Sequence, residues 1–321
     1  MADDDKLQSA QETREKSGSK GIDILVDRME SRRDRLSDAY DAKQLRGQRV
    51  RDFTEKLLTR TAYGIVYAVL IAGCLFAGRT PTAIIVSLVA WQCCSEFFRM
   101  CRMAGRMPND ILGLTGAATF PVFARFFHLR SMMFVVFFML IAVGVWYVLT
   151  PRANIADVAI TVFGPVYTSL TYSCVVLIRN SDPGFDGAML ALCVVASIWA
   201  NDAVAYLVGS RFGVHKMAPR ISPKKSWEGF WAGMAGSVAV WVILGVLFLN
   251  TVPLPLAVVI GLVEGLMSVV GDLFESRVKR GVGVKDSGNI MPGHGGMLDR
   301  SDSVIFGSMT AYILLVFGGV I

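Results

Sequence analysis

GDLFESRVKRGVGVKDSGNIMPGHGGMLDRSDS, Gly271 to Ser303, is a dense polar stretch set between two apolar ones. The run Leu262 to Val270 precedes it, and hydrophobicity resumes after it and holds to Ile321. Within it stand the acids Asp272, Glu275, Asp286, Asp299 and Asp302, the bases Arg277, Lys279, Arg280, Lys285 and Arg300, His294 and several glycines. Charge at a membrane boundary is costly and marks function more often than packing. Acids, bases and glycines together point to a site for metal and phosphate.

Outward from this stretch the chain is apolar. It has 321 residues, 53% of them hydrophobic. Runs near the roughly 20 residues needed to cross a bilayer recur. They are Thr61–Gly78, Pro81–Met100, Ile111–Phe127, Ser131–Thr150, Ala156–Ile178, Gly187–Gly209, Phe230–Leu249, Leu256–Phe274 and Val304–Ile321. The pattern predicts an all-α polytopic membrane protein with about nine transmembrane helices and a cytoplasm-facing polar cavity. The third run is short and broken by Pro121 and Arg125, which also fits a re-entrant or interfacial segment. Pro165 predicts a kink in the fifth.

Residues 1–55 are charged and poor in large apolar residues, and show no apolar core of a signal peptide. They read as a cytoplasmic extension, partly disordered, with helical spacing between Ile22 and Leu58. Residues 56–321 form the transmembrane catalytic domain. The net charge of +6 is unevenly spread. With the N-terminus placed in the cytoplasm, the cytoplasmic loops carry most of the Lys and Arg residues, and the opposite loops carry only Arg79, Arg125, Arg130 and Arg179. That asymmetry follows the positive-inside rule, and puts both long polar loops on the cytoplasmic side. The six cysteines lie in or beside apolar segments without zinc spacing, and read as small buried hydrophobes.

Three constellations carry chemistry. Along the eighth run Glu264, Ser268, Gly271, Asp272, Glu275, Ser276 and Lys279 step by three or four, so a helix places them on one stripe. Such a stripe faces the bundle interior or a wet cavity, either as an ion-pair seam or as a site. In the loop, Asp299 and Asp302 share a face at the entrance to the ninth run, and Asp272 can meet Asp299 across a hairpin. Carboxylates with water and phosphate oxygens suit Mg²⁺. Glycines around His294 and Gly295 let backbone amides approach an anion. Lys285 and Arg300 offer phosphate cations. In the third constellation Asp202 lies in an apolar run, and SPKKSW, Ser222 to Trp227, joins hydroxyls, two lysines and an aromatic ring. Lys224 and Lys225 read either as triphosphate ligands or as lysines touching anionic lipid. Glu96 reaches the same cavity or pairs locally with Arg99 or Arg102.

SRVKRGVGVKDSGNIMPGHGGMLDRSD, Ser276 to Asp302, resembles the signature of the phosphatidate cytidylyltransferases (CDP-diacylglycerol synthases). The pattern runs through Lys279-Arg280, Lys285-Asp286, His294-Gly295-Gly296 and Asp299-Arg300-Ser301-Asp302. NDAVAYLVGSRFG and SPKKSWEG upstream are similar to the family too, so the likeness covers roughly Ser197 to Ser303. Ser301 and Ser226 stand where the family commonly has an apolar residue and Thr.

The resemblance implies that CTP and phosphatidic acid give CDP-diacylglycerol and pyrophosphate with Mg²⁺. It also implies a second cation, with K⁺ a candidate, and a homodimer. Asp272 and Asp299 are then the expected metal ligands, with Asp302 and Lys279 supporting Asp272 as a charge-coupled catalytic trio. Lys224, Lys225, Lys285 and Arg300 would hold phosphates, with Ser222, Lys224 and Lys225 on the CTP side. Asp202, His294 and Gly295 complete the expected substrate site. The expected location is the cell inner membrane, with lipid as environment and no nucleic-acid partner. The alternatives are a CTP-dependent lipid kinase, which would release CDP, and a membrane transporter.

Overall fold

The computed structural model describes residues 62–290 and 295–321; the extension predicted over 1–55, and His294, lie outside the described residues. A short apolar helix α1 (Ala62–Ala77) leads into α2 (Arg79–Met103). Then come α3 (Asp110–Leu149), α4 (Ile155–Pro165), a π-turn (Val166–Leu170) and α5 (Cys174–Asn180). After α6 (Phe185–Phe212) the strands β1 (Lys216–Ala218) and β2 (Ser222–Ser226) form an antiparallel hairpin. The chain continues through α7 (Trp227–Phe248), α8 (Leu254–Gly281) and α9 (Leu298–Phe317).

Among the described residues six helices are long and apolar enough to cross a membrane: Arg79–Met103, Leu129–Leu149, Ile155–Asn180, Phe185–Phe212, Trp227–Phe248 and Leu254–Gly281. An all-helical reading misses the hairpin, because Ser222-Pro223-Lys224-Lys225-Ser226 has no apolar alternation to reveal a strand.

The third and fourth predicted runs join in one stretch of helical backbone. Straight, its 40 residues would span about 60 Å. It folds back instead. A Cβ on Gly116 would stand 3.0 Å from Met139 Sδ, and Ser131 Oγ donates to Phe123 O, eight residues earlier, at 3.4 Å. Asn180 Nδ2 donates to Ala124 O at 2.9 Å, satisfying a carbonyl that the turn releases.

At Pro165, where a kink is expected, α4 ends and the π-turn begins. Thr168 Oγ1 donates to Gly164 O at 2.9 Å, and Ser169 Oγ donates at 2.5 Å to Ala117 O, a carbonyl that Pro121 has no N–H to serve. At the other end of this bundle Met107 N bonds Asp157 at 2.8 Å and Asn109 N bonds Thr161 at 2.9 Å.

The interior is lined by α6, α7, α8 and α9. Trp241 Nε1 donates to Glu264 at 2.5 Å, and Asn201 Nδ2 to Ser268 Oγ at 2.6 Å, all four side chains fully buried. These bonds hold α6 and α7 against the polar stripe of α8, and so place the stripe's lower half over the site. Gly271 lies so close to the Asp302 carbonyl that no Cβ fits between them. α8 and α9 therefore meet backbone to backbone, one residue from Asp272.

Candidate functional site

A cavity of about 690 Å³ opens where α6, the hairpin, α7, α8 and α9 converge. α6 supplies Asp202 and Tyr206, and the hairpin supplies Lys216, Lys224 and Lys225. α7 supplies Phe230, α8 Asp272 and Lys279, and the following loop Asp286. The first turn of α9 adds Asp299, Arg300 and Asp302. Acids and cations thus face one space, although they come from segments a hundred residues apart.

Two ion-pair systems organise it. Lys225 Nζ lies 2.8 Å from Asp272 Oδ2, and Asp272 Oδ1 accepts from Ser276 Oγ at 3.2 Å. Lys279 reaches Asp299 Oδ1 at 2.5 Å and also pairs with Glu275, one turn back on α8. The lysine therefore serves Glu275 and Asp299, not the Asp272 expected from the sequence. Glu275 and Lys279 are both buried, and a buried carboxylate needs its cation.

Asp299 does more than line the wall. Its Oδ2 accepts from Gly296 N at 2.7 Å, Ser287 N at 2.8 Å and Ser287 Oγ at 3.0 Å. Burial alone would push this carboxyl up, but the Lys279 ammonium and the amides of Gly296 and Ser287 outweigh it and hold it below its ordinary value. Gly295, at φ 88°, takes the left-handed turn that brings the chain round to these contacts.

A second acid closes the same loop from outside. Glu96 of α2 is buried. It accepts from Ser287 Oγ at 2.7 Å, Leu298 N at 2.9 Å, Met297 N at 3.0 Å and Gln92 Nε2 at 3.2 Å. Arg99 donates to the Ser287 carbonyl. α9 has no side-chain cap of its own, so Glu96 provides one from 201 residues away in sequence. Neither sequence expectation for Glu96 describes this. It stands behind the cavity wall, and Arg102 pairs with Asp110 instead, at 2.5 Å.

Of the expected site residues, Asp202, Lys224, Lys225, Asp272, Lys279, Asp299, Arg300 and Asp302 line the cavity. Ser222, Lys285 and Gly295 do not line it. Ser222 sits at the far end of β2, and Lys285 is exposed on the loop. Trp227 is also outside it, and the aromatic rings on the wall are Tyr206 and Phe230. Tyr206 stands one helical turn from Asp202 and is readable from spacing, whereas Lys216 and Phe230 carry no such signal. Only the pairing of β1 with β2 turns Lys216 toward the same space.

Residues 58–317 match the model of the cytidylyltransferase family. The phosphatidate cytidylyltransferase of Bacillus subtilis (strain 168) is 30% identical over 273 residues, covering 82% of this chain and 98% of that protein. That of Mycobacterium bovis is 35% identical over 166 residues, 52% of this chain and 53% of the relative, so the chain spans about half the length of the mycobacterial protein. The uncharacterized Escherichia coli protein YnbB is 34% identical over 259 residues, covering 78% of this chain and 83% of its own. With its family model running across every element that lines the cavity, the chain belongs to the cytidylyltransferase family.

Proposed function

We propose that the cavity joins CTP to phosphatidic acid, giving CDP-diacylglycerol and pyrophosphate. The observation that carries the reading is the convergence of Lys216, Lys224, Lys225, Lys279 and Arg300 with five aspartates on one cavity of about 690 Å³. Cations on the hairpin and on α9 suit two polyanions that must approach each other. The relatives' name supplies the substrate pair. In the reaction an oxygen of the lipid phosphate forms a bond to the α-phosphorus of CTP, and the bond from that phosphorus to the bridging oxygen of the β-phosphate breaks. The lipid phosphate is ionised near neutral pH, so no protein base is needed to create the nucleophile. The protein's work is to hold the two phosphates in line and to stabilise charge on the departing pyrophosphate.

The donor set fits a hard divalent ion, since every acid on the wall offers carboxylate oxygen and, among the described residues, no cysteine or histidine joins them. Among the described residues no three such groups stand close enough to form a closed ligand set. Asp272 and Asp299 remain the proposed Mg²⁺ ligands. Each is paired with a lysine ammonium, Asp272 with Lys225 and Asp299 with Lys279. When bound, the ion supplies positive charge to the phosphate oxygens. Lys225 and Lys279, released from their carboxylates, are then free to meet phosphate themselves. A second cation such as K⁺, and a homodimer, belong to the same proposal.

The proposed placement has the cavity facing the cytoplasm of a cell inner membrane, with nine crossings once α1, both arms of α3 and α9 are counted. Support comes from the lysine-bearing hairpin and the loop before α9 lying at one end of the bundle.

The test is an assay of purified protein with CTP, dCTP or ATP and phosphatidic acid, with and without Mg²⁺. Nucleotide-lipid and pyrophosphate formed in equal amounts, dependent on CTP and Mg²⁺, are expected. Release of CDP with no nucleotide-lipid would replace the reading with a lipid kinase.

A further inference from the structure

The end of the molecule away from the cavity gathers positive charge. Glu96, which faces the cavity loop, is 17 residues from Arg79 on α2, roughly 25 Å along the helix axis. Around Arg79 three elements bring arginines together. Arg179, at the end of α5, is buried, with Nε donating to Leu75 O at 2.8 Å and one guanidinium nitrogen to Asp182 O at 2.8 Å. Its neighbour Asn180 holds Ala124 O and Arg125 O, at 2.9 and 3.3 Å, which fixes the turn of α3 beside it. Arg125 Nε in turn reaches Thr80 Oγ1, next to Arg79, at 3.3 Å.

The charges feel one another. Arg79 and Arg125 both repel Arg179, and Asp182 is the acid that attracts it. The Asp182 carboxylate is itself engaged, accepting from Gly184 N at 2.7 Å. Arg79 Nε is buried and has no hydrogen-bond partner among the described residues. The first turn of α2 adds to the field: its N-cap Gly78 offers no side-chain cap and the turn holds no acid. Three guanidinium groups are held near each other by backbone carbonyls and hydroxyls, and among the described residues the acid that attracts Arg179, Asp182, already accepts from Gly184 N.

We propose that Arg79, Arg125 and the uncapped start of α2, backed by Arg179, bind the phosphate group of an anionic phospholipid in the leaflet opposite the cavity. Guanidinium suits this ligand, because two parallel N–H groups can meet two phosphate oxygens. Exposed apolar side chains beside the cluster, Phe76, Phe126 and Phe127, provide contact for the acyl chains of the same lipid. The site is separate from the proposed reaction and stands or falls without it.

The test uses the full chain purified in detergent and stripped of lipid. Phosphatidylglycerol, phosphatidylcholine and inorganic phosphate are titrated separately, and binding is read by native mass spectrometry. The wild-type protein is expected to retain phosphatidylglycerol well above phosphatidylcholine. Arg79→Gln with Arg125→Gln should weaken that retention roughly thirtyfold, at about fivefold for each charge removed from the membrane surface. Arg79→Lys with Arg125→Lys should keep part of it. All variants should keep the wild-type melting temperature, since Arg179 is left in place. Equal retention of phosphatidylglycerol by the wild type and the Gln double variant would overturn the proposal, as would equal retention of phosphatidylcholine. Inorganic phosphate binding as tightly as the lipid would assign the cluster to a soluble anion and overturn the lipid assignment. A Gln double variant that does not fold shifts the comparison to the single variants, each expected to lose roughly fivefold.

Discussion

Glu96→Gln tests whether α2 holds the cavity loop in place. The carboxylate has two oxygens and four donors. Oε1 takes Met297 N and Gln92 Nε2, and Oε2 takes Ser287 Oγ and Leu298 N. A glutamine amide keeps one oxygen and turns the other into a donor. Whichever way the amide is placed, one backbone N–H at the start of α9 then faces an N–H instead of an oxygen. Leaving a buried amide without an acceptor costs about 1–3 kcal/mol. Removing the negative charge from the helix N-terminus costs about 0.3–1 kcal/mol more. Ser287 Oγ loses little, because it can turn to Asp299 Oδ2 at 3.0 Å.

The sum is about 1–4 kcal/mol. It falls on the segment that carries Asp299, Arg300 and Asp302. Two measurements check it. The unfolding midpoint of the detergent-solubilised variant should fall, and formation of CDP-lipid should fall with kcat affected more than the KM for CTP, because Glu96 does not line the cavity. Glu96→Asp, one methylene shorter, should restore charge but not reach, and should recover less than half the loss. A Glu96→Gln protein with wild-type midpoint and wild-type turnover would refute the capping argument.

The other predictions are shorter. Asp272→Asn should abolish turnover with expression and folding nearly intact, since an amide cannot replace an anionic ligand and the residue is only partly buried; near-normal turnover would take Asp272 out of the metal proposal. Lys225→Ala should raise the KM for CTP more than it lowers kcat, and an unchanged CTP dependence would leave Lys225 only its pairing with Asp272. Gly271→Ala should cost about 1–3 kcal/mol by forcing α8 away from the Asp302 carbonyl, and an unaltered unfolding midpoint would show that the contact relaxes freely. The clasp on Asp299 has a defined pH sense. Its folded value lies below the ordinary 3.8, so its stabilising contribution is complete above that pH and is lost as pH falls below it. In acid below about pH 4 the stability of the wild type should therefore approach that of Asp299→Asn, and a difference that did not shrink there would remove the clasp.

How much of this was legible in sequence depended on distance along the chain. The polar stripe of α8 was readable because helical spacing alone puts Glu264, Ser268, Asp272, Glu275 and Lys279 on one face, and their burial, deepest at Glu264 and Ser268, follows that face. The break after Pro165 was readable for an equally local reason. The fold-back of α3 was not. No glycine or asparagine pair marks the turn, and the reversal is held by Asn180, more than fifty residues on. Periodicity could say that Lys279 points inward, but not which acid it would meet. Asp272 lies two turns away on the same helix, while Glu275 is one turn away and Asp299 comes in from the next helix at 2.5 Å. Distance decides between equal charges. The roles of Glu96 and Lys216 were hidden for the same reason, since both depend on pairings that no local pattern announces.

Glu96 and Asp299 both approach the single hydroxyl of Ser287, at 2.7 and 3.0 Å. That hydroxyl has one proton to give. Two carboxylates cannot both be satisfied by it, and each has a separate source of positive potential. For Asp299 it is Lys279, and for Glu96 it is the amide end of α9. The loop between α8 and α9 is thus fixed at a point where two independent electrostatic systems meet, one belonging to the cavity and one to α2. A cation or phosphate that drew Lys279 away from Asp299 would leave that carboxylate to the amides of Gly296 and Ser287 and to the Ser287 hydroxyl, and Glu96 would keep its hold through the amides of Met297 and Leu298. The arrangement lets the cavity side of the loop change partners while the α2 side stays fastened. That is what a site needs if its lysines are paired with carboxylates at rest and with phosphate during turnover.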